Sequence, residues 1–365
     1  MKNFQCDACN GVLFFENSVC TSCNQSVGYF PDRGVMKTLR GDTHRRCVNF
    51  EAENVCNWMV AADDAEAYCV SCRLTQLIPD LSQPENHELW YRTEVAKRRL
   101  IYTLLDLGLP VVGKKVDAQQ GLAFEFRADA PGTDGPVLTG HADGLITLNI
   151  AEAHDAERER RRMQLHEPYR TLLGHFRHEI GHYYWDLLIR DGARLEEFRQ
   201  LFGDESLDYA TALQQHYNAG PPVDWQQRFV TSYASSHPWE DWAETWAHYL
   251  HMVDCLDTAA AAGISLQAQK RGAPLRLQAI AGNKDFDTLI RNWTELTTVL
   301  NNLNRSMGLA DAYPFVLPTP ALAKLRFVHE VVAGLDPEQK VRPPEGHPLF
   351  SGAPMQPPVA TPAPA

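Results

Sequence analysis

Two histidines and a glutamate near the middle of the chain have the spacing of a catalytic metal site. They belong to a His-Glu-x-x-His motif in the segment Pro168–Ile189, whose apolar residues recur every three or four positions and predict a helix. His178 and His182 then lie one turn apart on one face, so both imidazoles can bind one zinc ion. Glu179 lies about 100° around the helix, where it can act as a general base toward water that the metal acidifies.

A catalytic zinc needs a third protein ligand and an open position for water. A second amphipathic helix is predicted to begin at Pro238, and it places Glu240 and Glu244 one turn apart on one face. Glu240 can complete the ligand set while Glu244 accepts a hydrogen bond from a histidine ligand, and the reverse assignment of the two glutamates fits the same spacing. The alternative for Glu240 is an acidic residue that the helix dipole favours at an N-terminus.

Four other histidines lie near these helices. His175, one turn before His178, can support the metal site from behind the ligands or simply pack on the helix. His237, directly before the second helix, can reach a substrate or cap the helix. No catalytic role is expected for His248 and His251.

The cysteines predict structural zinc sites. Eight of the nine fall within the first 72 residues, as Cys6, Cys9, Cys20, Cys23, Cys47, Cys56, Cys69 and Cys72. The first four form two C-x-x-C pairs and predict a zinc ribbon, and the second four predict a second structural zinc. His44 can replace a cysteine of the second set, and cross-bracing between the sets also fits the spacing. Disulfides are disfavoured because no apolar export signal precedes the cysteines, and Cys255 is interpreted as a small apolar side chain.

Composition excludes several classes of protein. The chain has 365 residues, 44% of them hydrophobic, and a formal net charge of -12. It contains no apolar run long enough to cross a membrane. The negative charge opposes binding to nucleic acid. We therefore expect a cytoplasmic protein with neither a membrane nor a nucleic-acid partner.

Four regions follow from the sequence. Residues 1–40 form the zinc ribbon, 41–75 a second cysteine-rich module, 76–340 the main domain, and 341–365 a disordered tail rich in Pro and Ala. The cysteine-rich modules contain too few apolar residues for a core, so the metal should supply their folding energy.

The main domain is predicted to be α+β and mostly helical. A helix at His87–Leu107 begins it, a small sheet follows within residues 111–150, and helical patterns continue from residue 151 to about 334. The strand at Leu145–Ile150 can be an edge strand that pairs with an extended peptide or an internal strand of the sheet.

The two glutamates and the motif helix resemble the gluzincins, metallopeptidases in which a downstream glutamate completes the zinc site. In the lethal-factor branch that glutamate begins a Glu-x-x-x-Glu stretch and follows a tyrosine by seven residues. Glu240, Glu244 and Tyr233 stand at the corresponding positions here. The resemblance implies that Tyr233 donates a hydrogen bond to the oxyanion of the tetrahedral intermediate.

Nearly the whole chain is similar to a bacterial family of zinc-binding metallopeptidases that carry an N-terminal zinc ribbon. The similarity lies in the segments at residues 69–75, 96–100, 167–179 and 303–308. It implies a zincin-like fold preceded by zinc-ribbon modules, and it says nothing of the substrate.

The sequence therefore predicts zinc-dependent hydrolysis of peptide bonds, with one catalytic and two structural zinc ions. The expected partner is a peptide or protein substrate, and the zinc ribbons can bind a further protein. Two alternatives stay open: a binding protein that uses an inactive zincin scaffold, and a zinc amidase that acts on a non-protein substrate.

Overall fold

The computed structural model describes residues 2–41, 43–129, 137–164, 171–266, 275–276, 285–335 and 359–360. The chain forms two compact units, a first unit of residues 2–159 with 336–365 and a second unit of residues 160–335. The domain boundaries near residues 40, 75 and 340 stay predictions. Apart from residues 359–360, the tail predicted to be disordered lies outside the described residues.

The strands are short. They are β1 (Phe4–Gln5), β2 (Val12–Leu13), β3 (Val27–Phe30), β4 (Val35–Thr38), β5 (His44–Arg46), β6 (Met59–Ala61), β7 (Thr75–Ile78), β8 (Ala123–Arg127), β9 (Gly140–Ala142), β10 (Leu145–Asn149), β11 (Ser265–Leu266), β12 (Leu275–Arg276) and β13 (Val359–Ala360). The first six pair as three antiparallel two-stranded sheets in the cysteine-rich region, β1 with β2, β3 with β4 and β5 with β6.

The helices contain more residues than the strands, so the prediction of a mostly helical α+β protein is confirmed. They are α1 (Val48–Glu51), α2 (Asn86–Asp106), α3 (Asp155–Gln164), α4 (Leu172–Leu188), α5 (Leu195–Phe202), α6 (Tyr209–Ala219), α7 (Pro238–Ala261), α8 (Phe286–Ser306) and α9 (Thr319–Ala333), with 3-10 turns at Cys72–Leu74, Ile150–Ala153, Trp225–Gln227 and Tyr233–Ser235. No helix among the described residues combines the length and the apolar character that a membrane span requires.

The remaining sheet of the first unit has five strands in the order β13-β7-β8-β10-β9. Strand β10 pairs in parallel with β8 and antiparallel with β9, so Leu145–Asn149 is an internal strand. The edge position that would suit peptide pairing is thus not available to it. An Asp143-Gly144 hairpin turn, with φ of 47° and 79°, returns the chain from β9 into β10.

The cysteine-rich region has an aromatic core, which corrects the prediction that metal alone supports it. Phe4, Phe15, Tyr29 and Trp58 are buried together with Tyr102 of α2. Neighbouring ring centroids lie 4.8–6.3 Å apart. Each module contributes too few of these residues for a core of its own. The residues of the two modules and of α2 form one core together.

Helix α2, predicted at His87–Leu107, packs one face against the five-stranded sheet. Glu94 and Lys97 on this face are fully buried, and their carboxylate and ammonium groups lie 2.9 Å apart. The Lys97 ammonium also lies within 6 Å of the ring centroids of Phe124 and Phe126 on β8. A buried charge needs such partners because the interior of a protein solvates it poorly.

In the second unit, α4 and α7 carry the residues predicted to bind the catalytic metal. Helix α7 begins at Pro238, as predicted. The predicted start of α4 at Pro168 is wrong, because Thr171 has extended backbone angles and its hydroxyl accepts a hydrogen bond from the Gly174 N–H. This N-cap fixes the start of the helix at Leu172. Pro168 itself lies outside the described residues.

Gly181 lets α4 and α7 pack backbone against backbone. A Cβ atom on Gly181 would lie 3.0 Å from Ala243 Cα and 3.2 Å from Trp246 Cβ. The indole N–H of Trp242 donates a hydrogen bond to the Gly181 carbonyl at 2.8 Å. One turn away, the rings of Tyr184 and Trp246 stack with centroids 4.9 Å apart. The glycine between the two histidines therefore sets the distance between the helices.

A buried ion pair holds the first turn of α7 against α9. Lys324 Nζ lies 2.5 Å from Asp241 Oδ2 and donates a further hydrogen bond to the Arg228 carbonyl. Burial raises the pKa of Asp241 to about 7, although Lys324 acts in the opposite direction. Since Asp241 follows Glu240, this pair helps to fix the part of α7 that faces the site.

A side chain at position 181 should push α4 and α7 apart. Gly181→Val is expected to lower the free energy of unfolding by about 1–3 kcal/mol through overpacking. Gly181→Ala should lower the free energy of unfolding by less, because the higher helix propensity of alanine stabilises the helix by up to about 1 kcal/mol. Urea denaturation of both variants tests this order, and a valine variant as stable as the wild type would contradict the close packing.

Removal of one partner of the Lys324–Asp241 pair should lower the free energy of unfolding by more than removal of both partners. Lys324→Met leaves a buried carboxylate without its cation and should destabilise the protein by about 3–5 kcal/mol. The double variant Lys324→Met/Asp241→Leu serves as the matched control and should recover most of that loss. Unfolding midpoints in urea measure both, and equal losses in the two variants would refute the interpretation.

Candidate active site

The first cysteine quartet has the geometry of a tetrahedral zinc site. Cys6 Sγ lies 3.7 Å from Cys23 Sγ, and Cys9 Sγ lies 3.7 Å from Cys20 Sγ. A disulfide would hold two sulfurs about 2.05 Å apart. Zn–S bonds of about 2.3 Å place tetrahedral thiolates about 3.8 Å apart, close to what is observed. Both C-x-x-C pairs therefore face one point.

The second quartet is buried more deeply than the first. All four of its sulfurs lie within 4.8 Å of one another, and all four residues are buried. Backbone N–H groups of this module point at the sulfur atoms of Cys47, Cys56 and Cys69 at 3.3–3.4 Å. Such hydrogen bonds stabilise the thiolate form that zinc requires.

The two quartets are separate, so the cross-braced arrangement is not adopted. His44 is not a member of the second quartet, since its Nε2 lies 3.1 Å from the carboxylate of Asp32. Cys255 belongs to neither quartet and lies on α7, with its sulfur 3.7 Å from His251 Nε2.

The structure brings His178 and His182 of α4 together with Glu240 of α7. The two Nε2 atoms lie 3.2 Å apart, and Glu240 Oε2 lies 2.9 Å from that of His178 and 3.6 Å from that of His182. Zinc with bonds of about 2.0–2.1 Å places tetrahedral ligand atoms about 3.3 Å apart. These three atoms form such a triangle, referred to below as the ligand triangle.

The surroundings of Glu240 support metal binding at this point. Its Oε2 is buried and lies beside the Nε2 atoms of both histidines, 2.9 Å from that of His178 and 3.6 Å from that of His182. An ionised oxygen is costly to bury unless a cation balances its charge. A cation shared with the two histidines would satisfy it, so the residues present fit a zinc ion.

Glu244 lies behind the ligand triangle and orients His178. Its Oε1 accepts a hydrogen bond from His178 Nδ1 at 2.7 Å, and its Oε2 accepts one from the Thr231 hydroxyl at 2.7 Å. Burial alone would lower the pKa of His178, but Glu240 and Glu244 outweigh it and raise that pKa well above its ordinary value. Glu240 thus contributes an oxygen to the ligand triangle, whereas Glu244 contacts the triangle through the other ring nitrogen of His178.

Glu179 lies beside His175 and is not a member of the triangle. Its Oε1 lies 3.3 Å from His175 Nε2, one turn earlier on α4. Burial raises the pKa of Glu179, but His175 and the two histidines of the triangle lower it by more. The pKa of Glu179 therefore falls below its ordinary value. The side chain is therefore an ionised carboxylate beside the site, which is the form that accepts a proton.

Tyr233 lies beside His178. Its ring centroid is 5.9 Å from that of His178. Burial and the nearby carboxylate of Glu240 raise the pKa of Tyr233 well above its ordinary value, so its hydroxyl keeps its proton. No described residue forms a hydrogen bond with this hydroxyl. It can therefore donate to a group that enters the site.

Three residues that contact members of the ligand triangle or Glu244 were not predicted from the sequence. The Tyr209 hydroxyl donates to Glu240 Oε1, the Trp239 ring packs against His182 with centroids 3.9 Å apart, and the Thr231 hydroxyl donates to Glu244. Only Trp239 carried a local signal, as the neighbour of Glu240 on an amphipathic helix. Tyr209 and Thr231 belong to segments whose placement at the site depends on the fold.

The remaining histidines have structural contacts. His237 caps α7 through Nδ1, which accepts a hydrogen bond from the Trp239 N–H. His248 bonds to the Tyr313 hydroxyl, and burial lowers the pKa of His248 to about 4, so it is neutral. His251 lies 3.2 Å from the guanidinium group of Arg177. None of the three contributes an atom to the ligand triangle.

Comparison with known protein families gives two matches along the chain. A family described as "Putative zinc-binding metallo-peptidase" matches residues 86–331, and a zinc-ribbon domain matches residues 3–83. The first match contains the ligand triangle, and the second contains both cysteine quartets. No solved structure matches the chain.

Close relatives occur in mycobacteria. Uncharacterized proteins of Mycobacterium bovis and Mycobacterium tuberculosis are 45% identical to this chain over 340 residues, which is 93% of this chain and 97% of each relative. Their names assign no activity. The family match supports zinc binding and metal-dependent peptidase activity in general. Because the metallopeptidase match covers well over half of this chain, the chain belongs to this family of zinc-binding metallopeptidases with an N-terminal zinc ribbon.

Proposed function

We propose that the protein hydrolyses peptide bonds with the aid of one zinc ion bound by His178, His182 and Glu240, as in gluzincins. The observation that carries the proposal is the ligand triangle, with Glu179 beside it but not part of it. Three protein ligands around one point leave a position for water, as catalytic zinc sites require. A structural zinc site would be closed by a fourth protein ligand.

The residues around the triangle divide the work of hydrolysis. A bound zinc ion supplies a Lewis acid for the scissile carbonyl and makes water more acidic. Glu179 accepts the proton of the attacking water and passes it to the leaving amine. Tyr233 donates its hydrogen bond to the carbonyl oxygen as negative charge develops there. Glu244 fixes the His178 ring so that Nε2 faces the triangle.

The cysteine quartets complete the proposed metal content with one structural zinc each. Their sulfur distances fit tetrahedral thiolate sites with no position left for water. The chain would then hold three zinc ions. A peptide or protein substrate, a protein partner for the ribbons and a cytoplasmic location stay predictions.

The role of Glu179 is tested by Glu179→Gln. This variant keeps the size of the side chain but cannot accept the proton, so kcat should fall about 10²–10⁴-fold while zinc content is unchanged. Hydrolysis of a peptide library and metal analysis measure the two effects. Glu196→Gln, on the exposed surface of α5, is the matched control and should behave as the wild type.

Equal hydrolysis by the wild type and Glu179→Gln would refute the peptidase proposal. A wild type that holds zinc in the triangle and cleaves no peptide would favour the binding protein. Cleavage of small amides without cleavage of peptides would favour the amidase.

Metal analysis of the purified full-length protein should find three zinc ions per chain. His178→Ala and Cys56→Ser should each lose one, because each removes a ligand from a different site. Cys56→Ser should also lower the unfolding temperature, since a structural zinc contributes to folding. Cys255→Ser is the control and should keep all three, and a wild type with two would contradict the assignment.

A further inference from the structure

The two oxygens of the Glu240 carboxylate have different surroundings. Oε2 belongs to the ligand triangle, whereas Oε1 accepts a hydrogen bond from the Tyr209 hydroxyl at 2.5 Å. Such a distance is typical of a strong hydrogen bond between a hydroxyl group and an ionised carboxylate. The carboxylate therefore has one oxygen for the metal and one for Tyr209.

We propose that Tyr209 is a positioning residue that makes Glu240 a ligand through one oxygen only. This inference rests on the proposed function, because it takes Glu240 as the third zinc ligand. If Oε1 were also available to the metal, it would compete with water for the open position that catalysis needs. The Tyr209 hydroxyl engages Oε1 and also fixes the direction of Oε2.

The placement of the Tyr209 ring supports this role. Its centroid lies 5.2 Å from that of His237 and 5.7 Å from that of Trp239, both in edge-to-face contact. His237 caps α7 and Trp239 packs against His182, so the residues that hold Tyr209 are themselves next to the site. Three contacts thus fix the direction of its hydroxyl group.

Helix α6 does not need Tyr209 for its own packing. Tyr209 is the first residue of this helix, which contains no buried residue and is capped by Asp208. Tyr209 is itself 38% exposed. Replacement by phenylalanine would therefore remove the hydrogen bond without opening a cavity in a core.

The structure gives Tyr209 and Tyr233 different tasks. The Tyr209 hydroxyl is engaged with a ligand, whereas the Tyr233 hydroxyl has no hydrogen-bond partner among the described residues. Loss of the Tyr209 hydroxyl should weaken metal binding. Loss of the Tyr233 hydroxyl should slow hydrolysis and leave metal binding unchanged.

The test is the zinc affinity of the triangle in the full-length protein, measured by competition between the protein and a chelator for Zn²⁺. Tyr209→Phe should bind this zinc about 10–100-fold more weakly than the wild type, as is usual when a residue that supports a ligand is lost. Tyr233→Phe should bind it as tightly as the wild type. Tyr217→Phe is the matched control, on the same helix and 61% exposed, and should also be unchanged.

Equal zinc affinity in Tyr209→Phe and the wild type would overturn the inference and leave the proposed function standing. A second measurement separates positioning from a general effect on folding. With the zinc of the triangle removed, Tyr209→Phe and the wild type should both unfold in one cooperative transition, the variant at a somewhat lower temperature because it lacks the hydrogen bond to Glu240. A variant that shows no such transition in that state would assign the lost affinity to unfolding and overturn the positioning role. Failure of Glu179→Gln to reduce hydrolysis would instead refute the proposed function alone.

Discussion

At Gly181 the backbones of α4 and α7 approach so closely that there is no room for a side chain between them. Gly181 lies between the two histidines of the motif, and Ala243 on the facing helix lies one turn after Glu240. The ligand triangle has edges of 2.9–3.6 Å, so a shift of the helices by a fraction of an ångström would change it substantially. The rest of the site depends on this contact, because each ligand belongs to one of the two helices.

The packing of the helices brings the ligand triangle together, and the groups around it orient its individual side chains. Glu244 and Thr231 orient His178, Trp239 packs on His182, and Tyr209 binds the second oxygen of Glu240. A buried carboxylate or imidazole that lacks partners is costly, so each of these contacts both orients a ligand and reduces the cost of burying it. The Asp241–Lys324 pair extends the same support to the first turn of α7.

The first unit is stabilised in two ways at once. Its cysteine quartets collect sulfur atoms at distances that suit tetrahedral zinc, and its aromatic residues form a core with α2. Small modules often lack the apolar residues for a core of their own and rely on metal. Here the modules share a core, so hydrophobic burial contributes to folding, and zinc bound to the quartets would add to it.

The sequence alone predicted the features that depend on local spacing. The His-Glu-x-x-His motif, the C-x-x-C pairs, the α+β class and the start of α7 at Pro238 follow from periodicity and ligand spacing over a few residues. The sequence misplaces the beginning of α4, because Pro168 suits a first helical position as well as Thr171 suits an N-cap. It does not decide between an edge and an internal position for β10, because strand pairing depends on contacts outside the segment.

Only the tertiary structure decided which distant groups meet. It brought Glu240 rather than Glu244 to the Nε2 atoms of the two histidines, brought Thr231 to Glu244, and showed that the Tyr209 hydroxyl donates to the Glu240 carboxylate. It also showed that the two cysteine sets are separate and that they share an aromatic core with α2. The physical reason is that spacing along one helix or loop is fixed by local geometry. Contacts between segments depend instead on how closely helices pack, here on the missing side chain at Gly181.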